Sequence, residues 1–258
     1  MIVLKTTREL ALMREACRIS AEALKVAGEA VRPGISTWEI DKIAHDFIIS
    51  QGAEPNFLNL YGFPATACIS INDEVIHGIP SKKRILKSGD IVSIDLGARI
   101  NGYNGDNAAT FACGDVSDEA KRLMDTTRES LYEAIKYAVP GGRMGDIASA
   151  VQRYCESKGY GVVREFTGHG IGKEVHEDPS VPNYGRPGRG VRLREGMTIA
   201  IEPMIAMGDW GVYVEDDGWT IRTDDHSVCS HYEHTIAVTK GDPEILSYPG
   251  CRLTEAKR

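Results

Sequence analysis

Four carboxylates stand at matching places in a sequence that repeats itself. Leu86-Lys87-Ser88-Gly89-Asp90-Ile91-Val92-Ser93-Ile94-Asp95 returns as Leu193-Arg194-Glu195-Gly196-Met197-Thr198-Ile199-Ala200-Ile201-Glu202, and an acid closes each copy. A second pair follows, because Asp106 precedes Gly114-Asp115 by eight residues and Glu233 precedes Gly241-Asp242 by eight. A fold that sets two related halves face to face gathers these acids at one centre. Clustered carboxylates cannot all stay ionised without a cation, so the repeat predicts a metal site. Three of the seven histidines have distinctive surroundings: His77 in Asn72-Asp73-Glu74-Val75-Ile76-His77-Gly78-Ile79-Pro80, His169 in Gly168-His169-Gly170-Ile171-Gly172, and His176 ahead of Glu177. A histidine standing alone is more often an ordinary hydrogen-bonded residue. Together with the acids, one imidazole suits borderline or hard divalent ions such as Co²⁺, Mn²⁺, Fe²⁺ or Zn²⁺. Two such ions about 3.5–4 Å apart form a hydrolytic clamp that makes hydroxide at neutral pH. The glycines at 168, 170 and 172 do not form a phosphate loop, since neither G-x-G-x-x-G nor a G-K-[ST] ending is present.

Positioning those acids calls for helices packed outside antiparallel sheet, an α+β arrangement. From Thr6 to Ala30, apolar residues including Leu10, Met13, Ala16, Cys17, Leu24 and Ala27 recur at helical spacing, with a capped start near Thr7. Arg32-Pro33-Gly34 ends that helix; Ser36 or Thr37 caps a second, which runs to about Ser50 and is closed by Gly52. The plan recurs as a helix from about Asp118 to Val139, a Pro140-Gly141-Gly142 break, and a helix from about Gly145 to Ser157 closed by Gly159. Strand signals lie between the helices, sharpest from Asp90 to Ala112, where Asn101-Gly102 predicts a type I′ hairpin turn. That turn sets position 95 opposite 108. Asp95 and Asp106 then share one face as diagonal neighbours, roughly 7 Å or less apart at Cβ. Later, Thr198–Ala206, Val212–Glu215, Trp219–Thr223 and Tyr232–Thr239 predict a meander with a tight turn at Asp217-Gly218. The halves divide into about 1–115 and 116–258, and the repeat favours a single pseudo-symmetric domain over 1–258.

With 258 residues and 42% hydrophobic content the chain can bury a large core. Thirty-seven acids against 30 bases give a net charge of −7, which argues against a general nucleic-acid binder. Six cysteines (Cys17, Cys68, Cys113, Cys155, Cys229, Cys251) are scattered without a C-x-x-C, as suits reduced thiols. Met1-Ile2-Val3-Leu4-Lys5 runs straight into a charged amphipathic stretch, and no apolar run approaches about 18 residues. The expectation is a cytoplasmic protein with no membrane contact and no sequence-specific nucleic-acid partner.

The ordered set Cys-Ile-Ser-Ile-Asn (68–72), His-Gly-Ile-Pro (77–80), Asp-Leu-Gly (95–97), Gly-Asp (105–106), Gly-His-Gly-Ile-Gly (168–172), Ile-Glu-Pro (201–203), Asp-Asp-Gly-Trp (216–219) and Tyr-Glu-His-Thr (232–235) resembles the bacterial-type, type I methionine aminopeptidases. These belong to the pita-bread metallopeptidases, peptidase family M24, and the likeness runs from about Thr6 to Lys240. It implies a pseudo-two-fold pita-bread fold in which Asp95, Asp106 and Glu233 hold one ion, while Asp106, His169, Glu202 and Glu233 hold the other. Glu202 is the candidate general base as well as a ligand. The resemblance gives His176 the role of donating to the carbonyl oxygen, and His77 a contact with the scissile amide nitrogen. By motif position Cys68 and Trp219 match the family's apolar side-chain pocket, with Phe57, Leu60, Phe63 and Val175 at the remaining wall positions. Several relatives carry tyrosine or phenylalanine where Leu60 and Val175 stand, and Phe57, Leu60 and Phe63 also suit plain core packing. A monovalent cation held largely by backbone near Asn72 belongs to the same pattern.

The implied activity is removal of initiator methionine from nascent polypeptides whose second residue is small, by a protein expected to be a monomer. A proline-specific relative, an aminopeptidase P or prolidase, usually carries a large extra N-terminal domain, whereas this chain begins at the catalytic repeat. A binding module without catalysis should lack ligands, and every ligand position here is filled. The short path from His176 to Glu202 to Glu233 leaves no room for the helical insertion of the type II subgroup. Arg186, Arg189, Arg192 and Arg194, in a Pro/Gly-rich segment beside Lys173, read as a solvated loop or as a transient ribosome contact through RNA.

Overall fold

The computed structural model describes residues 1–248, so Cys251 and the last ten residues of the second half lie outside the described residues. Helix α1 (Thr7–Glu29) starts one residue earlier than expected: Thr6, not Thr7, is the cap. The Thr6 hydroxyl accepts from the Glu9 amide at 3.3 Å, and the Thr6 amide donates to the Glu9 carboxylate at 2.8 Å. This reciprocal pair satisfies two of the amides that a helix start leaves unpaired. Helix α2 (Thr37–Ser50) uses the same device through Ser36 and Glu39. The strands β1 (Glu54–Pro55), β2 (Ala67–Ile71), β3 (Glu74–Ile76), β4 (Ile91–Ile100) and β5 (Tyr103–Ala112) follow. Asn101 and Gly102 both adopt positive φ, 53° and 79°, as a type I′ turn requires. The β4–β5 register sets Asp95 opposite Ala108 and Gly97 opposite Asp106.

In the second half, α3 (Asp118–Ile135) stops four residues short of Val139. Tyr137 and Ala138 donate to carbonyls three residues back, a tightening that leads into Pro140, where the preceding residue disfavours helix. Helix α4 (Met144–Glu156) is followed by β6 (Gly161–Val162), β7 (Gly168–Gly170), β8 (Glu177–Val181), β9 (Thr198–Ile201), β10 (Met204–Ala206), β11 (Val212–Val214), β12 (Ile221–Thr223), β13 (Cys229–His231), β14 (His234–Ala237) and β15 (Glu244–Ile245).

These strands do not form one meander. They join three sheets: β15-β14-β9-β7-β8, β13-β10-β6, and β11-β12-β3, while β4 carries β5 on one edge and β1 and β2 on the other. The run Thr198–Ala206 is broken at Glu202-Pro203, because proline has no amide to give a ladder, and its two pieces enter different sheets. The run near Tyr232 also breaks, at Tyr232-Glu233. The two halves meet where β5 lies against β13 and β14. There the Glu233 amide donates to the Ala108 carbonyl at 2.9 Å, and the Thr235 hydroxyl donates to the Asp106 carbonyl at 2.8 Å.

Helix α1 packs on β4 and β5, and α3 packs on α4 and on β13, β10 and β9, so each half holds its own buried apolar cluster. Among the described residues no helix is long and apolar enough to cross a membrane, and Cys17, Cys68, Cys113, Cys155 and Cys229 are free thiols. The backbones of α1 and the hairpin approach closely at Gly105, where a Cβ would stand 2.5 Å from the Cys17 Cα. Gly105→Ala must push the helix off the sheet; urea denaturation should show a loss of about 1–3 kcal/mol, the usual cost of overpacking.

Candidate metal centre

A cleft of about 310 Å³ opens between the halves, and all five acid and imidazole candidates line it. Asp95 and Asp106 come from neighbouring strands of the hairpin, and His169 from β7. Glu202 and Glu233 occupy the two breaks, one residue beyond β9 and one before β14. Ile201 pairs with His234 at the end of that ladder, so Glu202 and Glu233 are the next opposed pair, whereas Asp95 and Asp106 are offset by two residues. The duplication therefore delivers its two pairs of acids in different registers.

Ligand atoms of Asp106, His169 and Glu233 all lie within 4.8 Å of one another. His169 Nε2 is 3.7 Å from Asp106 Oδ2 and 3.7 Å from Glu202 Oε1. Its Nδ1 donates to the Gly170 carbonyl at 2.9 Å, which leaves the Nε2 lone pair facing the acids. Asp95 Oδ1, Asp106 Oδ1 and Glu233 Oε1 are buried without a hydrogen-bond partner. Burial pushes the Asp95 carboxyl up to about 7 and Glu202 to about 8. Asp106 and Glu233 are raised well above the usual carboxylate range, first by burial and then by one another's neighbourhood of acids. Orphaned, desolvated oxygens around one imidazole are what a divalent cation would satisfy.

His77, at positive φ of 59°, lines the cleft between Phe166 and Trp219, with ring centroids 5.9 and 6.3 Å away; burial lowers it to about 4. The His176 ring lies 4.4 Å from that of His169 and stacks at 5.8 Å on Tyr61; burial lowers it too. Phe57, Leu60, Phe63, Cys68 and Trp219 form an apolar wall, with Phe63 edge-on to Trp219 at 5.2 Å. Val175 packs with Phe57, Phe63, Ala65 and Cys68 but lines a separate outer groove instead of the cleft. Lys173 lines that groove with Arg99, Glu54 and Glu174.

Four lining residues escaped the sequence reading: Tyr61, Ile76, Phe166 and Thr167. Tyr61 adjoins Leu60, and Phe166-Thr167 immediately precede the Gly168-His169 motif, so adjacency was the available signal. His231, buried with Nε2 at 3.6 Å from Glu202 Oε2, and Asn183, whose amide donates to the Glu202 carbonyl at 2.9 Å, also escaped it. His231 stands two residues before Glu233, the side-chain period of a strand; Asn183 carries no comparable signal.

Buried acids and an imidazole at the floor of a cleft, on doubled antiparallel sheet with helices outside, define a metal-dependent hydrolase. The profile of metallopeptidase family M24 matches residues 11–240. A methionine aminopeptidase from Clostridium acetobutylicum is 51% identical over 247 residues, covering 96% of this chain and 99% of its relative. The crystal structure of a methionine aminopeptidase from Thermotoga maritima matches with a TM-score of 0.94 at 44% identity, covering 96% of this chain and 99% of that one. A prolidase from Pyrococcus horikoshii matches less well, with a TM-score of 0.76 at 28% identity, and this chain spans 64% of it. The chain belongs to metallopeptidase family M24 and has its pita-bread fold. Membership of a metallopeptidase family carries with it a requirement for divalent metal ions.

The raised carboxyls give the metal-free protein a particular pH response. The folded chain holds protons that the unfolded chain releases above about pH 4. Stability is therefore full below that value and falls as pH rises through the folded values of about 7 and 8. Thermal unfolding of chelator-treated protein should show Tm dropping across that interval. Mn²⁺ should reverse the drop, by about 2.7 kcal/mol at a hundredfold excess over Kd.

Proposed function

We propose that the protein is a metal-dependent aminopeptidase that removes initiator methionine from nascent polypeptides when the second residue is small. The observation that carries this reading is the cleft itself, where acids from both halves converge with His169 beside an apolar wall. Asp95, Asp106 and Glu233 would hold one divalent ion and Asp106, His169, Glu202 and Glu233 a second, with Asp106 and Glu233 shared. Co²⁺, Mn²⁺, Fe²⁺ and Zn²⁺ all suit these donors. Bound ions supply a nucleophilic water at neutral pH and polarise a carbonyl. Glu202 takes the proton from the attacking water. His176, held by its stack on Tyr61, donates to the carbonyl oxygen as charge develops there, and His77 contacts the scissile amide nitrogen. Phe57, Leu60, Phe63, Cys68 and Trp219 receive the methionine side chain. The free amine faces the buried acids, so one residue fits inward of the cut.

The same reading makes the chain a single catalytic domain with an internal duplication, monomeric and cytoplasmic, and adds a monovalent cation held by backbone near Asn72. Asn72 adopts a positive φ of 57°, and its carbonyl already accepts from the Cys229 amide at 2.8 Å. A transient ribosome contact falls to Arg186, Arg189, Arg192 and Arg194, all exposed and, among the described residues, in no ion pair.

Metal-stripped protein given Mn²⁺ or Co²⁺ should release methionine from Met-Ala-Ser and leave Ala-Pro-Ala intact. Glu202→Ala should abolish release, and His176→Ala should lower kcat by about 10²–10³, or about 2.7–4 kcal/mol. Cleavage of the proline peptide alone would instead establish the proline-specific reading. For the ribosome contact, the double variant Arg186→Glu, Arg189→Glu should co-sediment less with ribosomes at low salt; unchanged co-sedimentation counts against that contact.

A further inference from the structure

We propose that His231 is a positioning residue for Glu202: its Nε2–H holds one carboxylate oxygen and thereby commits the other to Asp106, His169 and Glu233. The inference rests on the metallo-aminopeptidase reading above and goes beyond it by naming what restrains the proposed base.

His231 is 1% exposed, and its Nε2 is buried with no hydrogen-bond partner. That atom lies 3.6 Å from Glu202 Oε2, while Glu202 Oε1 lies 3.7 Å from His169 Nε2. The carboxylate is thus set between two imidazoles, one inside the candidate ligand cluster and one outside it. The His231 backbone is pinned. Its amide donates to the Thr110 hydroxyl at 3.0 Å, its carbonyl accepts from the same hydroxyl at 2.9 Å, and its strand pairs it with Met204. The Glu202 backbone is pinned by Asn183, at 2.9 Å. Its side chain retains rotatable bonds, and a ligand that is also a base must present one oxygen in one direction. A donor on the far oxygen supplies that direction. Closing 3.6 Å to hydrogen-bond range asks for a movement of about half an ångström. An imidazole carries at least one N–H to donate in either protonation state. Hydrogen-bond partners behind a metal ligand commonly contribute about 10–100-fold to metal affinity.

Glutamine and methionine have similar length and shape, but only glutamine has an N–H. The test is calorimetric titration of metal-stripped, full-length protein with Mn²⁺, comparing wild type, His231→Gln and His231→Met. His231→Met should weaken binding by about 10–100-fold while His231→Gln stays near wild type. With saturating Mn²⁺ and Met-Ala-Ser, His231→Met should lose kcat with KM little changed. If His231→Met fails to fold by circular dichroism, His231→Asn, whose amide falls short of Glu202, takes its place. Equal Mn²⁺ affinity for the glutamine variant and the donor-free or short variant overturns the proposal. Wild type that binds Mn²⁺ but releases no methionine overturns the activity reading and leaves this comparison standing.

Discussion

Everything in this molecule turns on the electrostatic problem of holding Asp95, Asp106, Glu202 and Glu233 together at the floor of one cleft. Each carboxyl is raised primarily by burial, and three of their oxygens are buried without a hydrogen-bond partner. Protonation alone would relieve the repulsion but leave the cluster inert at neutral pH. Divalent cations resolve the conflict by replacing lost hydration with opposite charge. The fold is rigid where this demands it, at the seam of hydrogen bonds that ties β5 to the segment around Glu233.

The two halves solve the same problem in unequal ways. In the first, a hairpin of two uninterrupted ten-residue strands carries Asp95 and Asp106 two residues out of register. In the second, both glutamates sit where strands are interrupted, and Pro203 explains one interruption. Leaving the ladder frees the backbone of Glu202 to accept from Asn183, and lets β9 and β10 enter different sheets. A longer side chain then reaches back to the centre from the end of the ladder.

The rim is held by a different interaction. Buried Glu74 on β3 pairs with Arg84 at 2.6 Å and with Arg222 on β12 at 2.7 Å, and Arg222 also reaches Asp73 and Glu215, both at 2.5 Å. Removing one partner of such a network would strand a buried charge. The network fixes β3 and β12, next to which stand His77 and Trp219, both lining the cleft.

Local chemistry was legible in the sequence because it is decided by neighbours a few residues apart. The Asn101-Gly102 turn and the 95–108 pairing followed from the need for two positive φ angles, and Ser and Thr caps placed the helix starts to within one residue, Thr6 capping where Thr7 was expected. The four acid positions around the cleft were likewise readable, since the duplication marks each of them in both halves, whereas His169 came only with the family resemblance. What only the tertiary structure decided depends on contacts distant in sequence: the breaking of one apparent meander into three sheets, the placing of Val175 on the outer groove, and the arrival of Tyr61, Phe166 and His231 at the cleft. A side chain's type states what it can bond to, but which partner it meets is set by packing between strands far apart in the chain. His231 and Glu202 are 29 residues apart in the sequence and 3.6 Å apart in the fold.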